Sequence, residues 1–100
     1  MFNFENVYGA NYEVGGVNTV MAFDTLQKAR QDLIGEIEAV IQYDAHARST
    51  NDKIAKETWL HIKNDELMHI GELLGLLNYL DPDQKQYVQK GLAEFIEMHK

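Results

Sequence analysis

The sequence predicts an all-α fold, in which an antiparallel helical hairpin is followed by a shorter C-terminal helix. Apolar residues recur at alternating steps of three and four along residues 26–47 and again along residues 55–80. A polar cluster at residues 49–52 separates the two runs, and Asp81-Pro82 ends the second run. One hundred residues suit one domain whose own core gives modest stability.

Residues 1–23 differ from the rest of the chain because aromatic side chains are spread among glycines without helical periodicity. We interpret this segment as an irregular N-terminal arm, which either docks its aromatic side chains on a neighbouring subunit or is partly disordered. Residues 24–100 then form the helical domain. The residues that set the arm apart are Phe2, Phe4, Tyr8, Gly9, Tyr12, Gly15 and Gly16.

The first helix is predicted to begin at Asp24, because Asp24 followed by Gln27 resembles a capping box. Polar residues at 49–52 predict the turn and offer N-caps for the second helix. The first helix carries an inner stripe of Leu26, Ala29, Leu33, Glu36, Val40, Tyr43 and Ala47. The second carries Ala55, Trp59, Ile62, Glu66, His69, Leu73, Leu76 and Leu80.

A third helix is predicted from Pro82, with Asp81 as its cap and Gln84 completing a box-like pattern. Its apolar side consists of Val88, Leu92, Phe95 and Ile96.

The composition excludes several classes of function. A net charge of −7 disfavours nucleic acid as a partner and favours cations. The absence of cysteine excludes disulfides, thiolate zinc sites and cysteine nucleophiles. No apolar run approaches the ~20 residues of a membrane span, and the N-terminus lacks a basic signal-peptide region. We therefore expect a cytoplasmic protein with no membrane or nucleic-acid partner.

Glu36 is the first candidate for a functional residue, because it lies in the apolar stripe between Leu33 and Val40. A buried carboxylate costs several kcal/mol unless it is paired or bound to a metal. None of its neighbours one turn away on the helix is a cation. Glu36 is therefore a candidate metal ligand.

Glu66 and His69 form a Glu-x-x-His pair, thirty residues downstream of Glu36. A turn near Asn51 would place Glu36 level with this pair, although Lys63 could also reach Glu66. The three residues make half of a carboxylate-bridged di-iron site, and a complete site needs two such halves. The sequence therefore predicts a metal site shared between two subunits, and this ligand type suits iron or manganese.

The negative charge of the glutamates favours metal binding in such a dimer. Two copies each of Glu36 and Glu66 carry four negative charges, which two ferrous ions per dimer would neutralise, whereas four bare carboxylates would repel one another. The alternative is a helical hairpin that dimerises and satisfies these groups by hydrogen bonds.

Residues 36–44 and 63–69 together resemble the encapsulated ferritin-like proteins, half-ferritins of the wider ferritin and rubrerythrin superfamily, over roughly residues 24–80. The resemblance implies a four-helix bundle completed by dimerisation and dimers that assemble into a ring, typically a decamer. It also implies ferroxidase activity and transfer of iron to a surrounding encapsulin nanocompartment. Glu36, Glu66 and His69 would be the catalytic iron ligands, and Tyr43 a neighbour of the centre.

The chain departs from that family at the positions where iron enters the centre. Gly35 and Gln42 stand where the best-known members have an acidic residue and a tryptophan, which leaves Glu38 as the uptake carboxylate. Residues 97–100 also lack the Gly-Ser-Leu-rich tail that addresses such cargo to the shell, so the sequence leaves encapsulation open.

The sequence allows two alternative roles for each of three further residues. Glu72 either accepts a hydrogen bond from His69 or pairs with a surface cation such as Arg30. Glu38 is either an uptake carboxylate or a solvated acid, and Tyr43 either adjoins the centre or only packs in the core. The alternative functions are a rubrerythrin-like di-iron peroxidase, which the absence of cysteine disfavours, and a non-enzymatic helical assembly module.

Overall fold

The computed structural model describes the backbone of residues 17–100 and the side chains from residue 24 onward. This part of the chain forms three helices, α1 (Val17–Arg48), α2 (Lys53–Leu80) and α3 (Pro82–Met98). α1 packs against α2, and α3 packs against α2. The predicted all-α hairpin with a third helix is confirmed. None of the described helices combines the length and the hydropathy needed to cross a membrane.

The start of α1 corrects the predicted boundary. α1 begins at Val17, so residues 17–23 of the predicted arm have a helical backbone, and the remainder of that arm lies outside the described residues. Asp24 does not cap the helix: its carboxylate binds the Lys28 ammonium at 2.9 Å, and this hydrogen bond raises the pKa of Lys28. A capping residue only favours a helix start, and residues 17–23 contain no glycine or proline to prevent extension upstream.

The turn between α1 and α2 forms where the polar cluster predicts it. At the end of α1 the Ala45 carbonyl accepts from both the Ser49 hydroxyl at 2.9 Å and the Ser49 N–H at 3.1 Å. The Asp52 carboxylate accepts from the Ala55 N–H at 2.8 Å and caps α2. This short turn makes α1 and α2 antiparallel.

Asp81 ends α2 and begins α3. Its N–H donates to the Leu77 carbonyl at 2.9 Å, its carboxylate accepts from the Gln84 N–H at 3.1 Å, and Pro82 takes the first helical position as predicted. Gln84 does not complete the capping box. Its side-chain oxygen accepts from Arg30 at 2.7 Å, and Arg30 also binds the Asp81 carboxylate at 3.3 Å. Arg30 therefore ties α1 to the junction of α2 and α3.

Much of the apolar surface stays exposed on a single copy of the chain. The buried hydrophobic residues in the described part are Ala29, Ala47 and Leu77. By contrast, the predicted apolar side of α3 is open, with Phe95 62% exposed. Exposed apolar side chains that lie together are common where proteins bind one another. The large exposed residues on the hairpin and on this side of α3 include Ile37, Ile41, Leu67, Met68, Leu74, Val88, Leu92 and Ile96.

Candidate metal centre

The hairpin brings together the three side chains that the sequence singles out as metal ligands. Glu36 lies in the middle part of α1, and Glu66 and His69 lie one turn apart on α2. Residues three apart share a helix face, and the antiparallel turn places Glu36 level with that face. One possible ligand atom from each of the three residues lies within 4.8 Å of the other two.

The imidazole of His69 lies close to both carboxylates. Its Nδ1 atom is 3.3 Å from Glu66 Oε2 and 3.5 Å from Glu36 Oε2. No lysine or arginine among the described residues forms an ion pair with either glutamate. Only His69 or a bound cation is therefore available to offset the negative charge of the two carboxylates.

Glu36 contains a buried oxygen that nothing in the described part of the chain satisfies. Its Oε2 atom is buried and has no hydrogen-bond partner there. A buried polar atom without a partner costs about 1–3 kcal/mol, and more when it is charged. The Glu36 side chain as a whole is only 25% exposed. An oxygen in this position is suited to binding a metal ion.

The three residues fit a transition-metal ion. Ligand atoms that share one ion at about 2.1 Å each lie no more than about 4.2 Å apart. The observed separation of up to 4.8 Å requires only a small movement of the side chains. Imidazole with carboxylates suits iron or manganese. One chain offers three possible ligands, which is half the number in a di-iron carboxylate site.

Two of the three candidate ligand residues lie at an open groove of about 780 Å³ on the hairpin, whose lining does not include Glu66. Glu36 and His69 line this groove, together with the acidic residues Asp32 and Glu72 and with Gly35. Acidic walls raise the local concentration of cations. The groove therefore exposes Glu36 and His69 to cations in the solvent.

Comparison with known sequences finds relatives that are 27% and 29% identical to this chain over aligned stretches of 67 and 75 residues. No family model matches the sequence. The chain is 29% identical over 75 residues, 75% of this chain and 22% of the relative, to a ferritin-like-encapsulin shell fusion protein of Pyrococcus furiosus. It is 27% identical over 67 residues, 67% of this chain and 42% of the relative, to the encapsulin nanocompartment cargo protein EncB of Myxococcus xanthus. The chain thus spans less than half the length of these curated relatives.

Comparison with solved structures finds the same kind of protein. The fold matches the crystal structure of the encapsulated ferritin domain from Pyrococcus furiosus with a TM-score of 0.74 and 25% identity. The match covers 97% of this chain and 92% of that domain. The resemblance to encapsulated ferritin-like proteins is confirmed. The all-α hairpin with a third helix is accordingly an encapsulated-ferritin fold.

The predicted pairing of Glu72 with Arg30 is wrong. Arg30 instead binds Gln84 and Asp81 at the beginning of α3, because the chain reverses after α2 and brings these two acceptors to it. Glu72 lines the ligand groove and is exposed. Its predicted hydrogen bond to His69 is not among the contacts of the described residues, whereas Glu66 does contact the ring.

Lys63 does not bind Glu66, although the helix spacing allows it. Its ammonium binds Asp44 of α1 at 3.4 Å. The sequence analysis did not single out Asp44. The spacing along α2 identified Lys63 as a possible partner of Glu66, but no pattern in the sequence indicated a competing carboxylate on the facing helix.

The predicted roles of Glu38 in iron uptake and of Tyr43 beside the centre remain predictions. Both are half-buried on α1, and neither lines the groove at the ligands. The groove instead contains Asp32, which the sequence analysis did not single out as part of the site. A signal for it was present, because Asp32 lies four residues before Glu36 and therefore on the same helix face.

Proposed function

We propose that two copies of this chain hold two ferrous ions between them and oxidise them to ferric iron. The ligands are Glu36, Glu66 and His69 from each subunit. The observation that carries the proposal is the buried Glu36 Oε2, which accepts no hydrogen bond from the described residues and whose nearest cationic candidate is His69 Nδ1 at 3.5 Å. A metal ion satisfies this oxygen and neutralises the carboxylates at the same time.

A second subunit is needed to complete the site. Three ligands from one chain leave each ion partly coordinated, and the di-iron pattern needs a second Glu and a second Glu-x-x-His pair. His69 is 48% exposed on one copy, and the large apolar side chains of Ile37, Leu67 and Met68 are exposed close to the ligands along the helices. A facing hairpin would cover these residues and supply the missing ligands. Association of such dimers into a ring, as the family resemblance implies, belongs to the same proposal.

The residues of this chain control charge and position during the reaction. Iron is the substrate and supplies the redox chemistry, with each ferrous ion giving one electron to dioxygen or peroxide. Glu36 and Glu66 offer four carboxylates per dimer, which offset the rising positive charge when ferrous iron becomes ferric. His69 contributes an imidazole ligand, and the 3.3 Å separation of its Nδ1 atom from Glu66 Oε2 places the two ligand residues beside each other before metal binds.

The proposal is tested by titrating the metal-free protein with ferrous iron without oxygen. Two shared ions per dimer predict saturation near one iron per chain, followed by rapid oxidation when oxygen is admitted. Replacement of the exposed Glu94 on α3 by alanine is the control and should leave the stoichiometry unchanged. Saturation far from one iron per chain, or no binding, would contradict the shared centre.

The proposed partner of the assembly is an encapsulin shell. The two curated relatives are a ferritin-like-encapsulin shell fusion protein and an encapsulin nanocompartment cargo protein. We expect iron oxidation inside such a nanocompartment, because a ring of hairpins has no sealed cavity in which ferric product is confined.

This partnership predicts that the protein without a shell keeps little ferric iron in solution. Ferrous iron is added aerobically in increasing ratios, and the soluble iron per chain is measured after centrifugation, with and without a co-produced encapsulin shell. Clear solutions at hundreds of irons per chain in the absence of a shell would argue against the partnership.

A further inference from the structure

Asp44 lies on α1 and binds two cations at once. Its Oδ1 atom is 3.4 Å from the Lys63 ammonium, and its Oδ2 atom is 3.1 Å from Arg48 Nε. Arg48 lies one turn further along α1 and is largely exposed, whereas Lys63 comes from α2. The contact with Lys63 therefore crosses between the two helices of the hairpin.

Lys63 is the cation best placed to interfere with the metal centre. It precedes Glu66 by three residues, and side chains at this spacing contact each other on a helix surface. The Lys63 side chain is only 23% exposed, so it lies along the hairpin rather than in solvent. An ammonium on Glu66 would occupy the carboxylate oxygens that a metal ion needs.

We propose that Asp44 is a positioning residue for the metal centre, which binds the Lys63 ammonium away from Glu66 and thereby leaves that carboxylate available to ferrous iron. The inference rests on the proposed function. A partly exposed ion pair such as Asp44–Lys63 contributes little to stability. The inference gives this interhelical contact a functional role instead.

Arg48 strengthens this arrangement from the other side of the carboxylate. Because Arg48 occupies Oδ2 and Lys63 occupies Oδ1, the Asp44 side chain is restrained at both oxygens. The negative charge of Asp44 also offsets part of the field of the Lys63 ammonium, which weakens its repulsion of an incoming cation.

The test is a double-mutant cycle with Asp44→Asn, Lys63→Gln and the combination of both. Ferrous affinity is measured by anaerobic calorimetry on the metal-free assembly. We expect Asp44→Asn to weaken binding about tenfold, similar to the loss of an outer partner of a metal ligand. Lys63→Gln should change little by itself but should restore the affinity of the Asp44→Asn variant. The cycle is therefore strongly non-additive.

Control variants distinguish the positioning of Lys63 by Asp44 from a general effect on folding. Asp24→Asn removes the carboxylate of another ion pair on α1, the one with Lys28, and should leave ferrous affinity close to that of the parent. Circular dichroism reports the folding of each variant, and Asp44→Ser is measured beside Asp44→Asn so that the result does not depend on a single variant.

Two outcomes would overturn the inference alone. Additive effects in the cycle would mean that Asp44 acts through its charge without positioning Lys63, and parent-like affinity of Asp44→Asn would mean that Lys63 does not compete. Failure of the parent itself to bind ferrous iron is distinguishable from both, because it overturns the proposed function and this inference with it.

Discussion

Replacement of Glu66 or His69 by alanine is expected to abolish rapid oxidation of ferrous iron. Each substitution removes two ligands from a dimer, one from each subunit. Loss of an outer partner of a ligand alone costs 10–100-fold, so loss of the ligand itself should exceed about 100-fold. The initial rate of ferric absorbance after addition of ferrous iron to the aerobic protein measures the effect.

Matched control substitutions are available on the same helix. His61 is exposed and contacts Asp65 at 3.7 Å, so His61→Ala controls for the loss of an imidazole from α2. Glu57 is exposed beside Lys53 and controls for the loss of a glutamate. Both controls should oxidise iron at the rate of the parent. Equal rates in Glu66→Ala or His69→Ala would show that these residues are not the ligands.

Glu36→Ala should also abolish oxidation, and its effect on stability separates two hypotheses. Because Glu36 Oε2 is buried without a hydrogen-bond partner among the described residues, its removal should leave the metal-free assembly at least as stable as the parent. If these groups instead served a non-enzymatic module by fixing the helix register, the loss would destabilise the assembly by roughly 1–3 kcal/mol per orphaned partner. Melting temperatures of the metal-free proteins decide between them.

Removal of metal is expected to shift the protein toward smaller assemblies. A metal bound at a site shared by two subunits adds its binding free energy to association. At a ferrous concentration of about 100 times the dissociation constant, one site contributes about 2.7 kcal/mol, which corresponds to about hundredfold tighter association. Native mass spectrometry of the chelated protein, before and after addition of ferrous iron without oxygen, measures the shift.

The His69→Ala variant provides the control for this linkage. It retains the exposed apolar surfaces but lacks a ligand, so iron should leave its distribution of assemblies almost unchanged. An identical distribution of the parent with and without metal would indicate that apolar contacts alone hold the subunits together. That outcome would count against a centre shared between subunits.

The elements of the fold follow from local patterns in the sequence. Apolar spacing predicted the hairpin, and the chemistry of Asp52 and Asp81 predicted where α2 and α3 begin, because helix periodicity and capping depend on residues only a few positions apart. The ligand set was predictable for a related reason. Equal distances of Glu36 and Glu66 from the turn at Asn51 place them level in any antiparallel hairpin.

Contacts between residues far apart in the chain were decided by the tertiary structure. The partners of Arg30 lie at the beginning of α3, the partner of Lys63 lies on α1, and α1 extends upstream to Val17. Periodicity identifies which face of a helix is buried, but it leaves open the rotation and the crossing of the packed helices. A long side chain can reach several partners on its own helix face, and only the position of the facing helix determines which of them it binds.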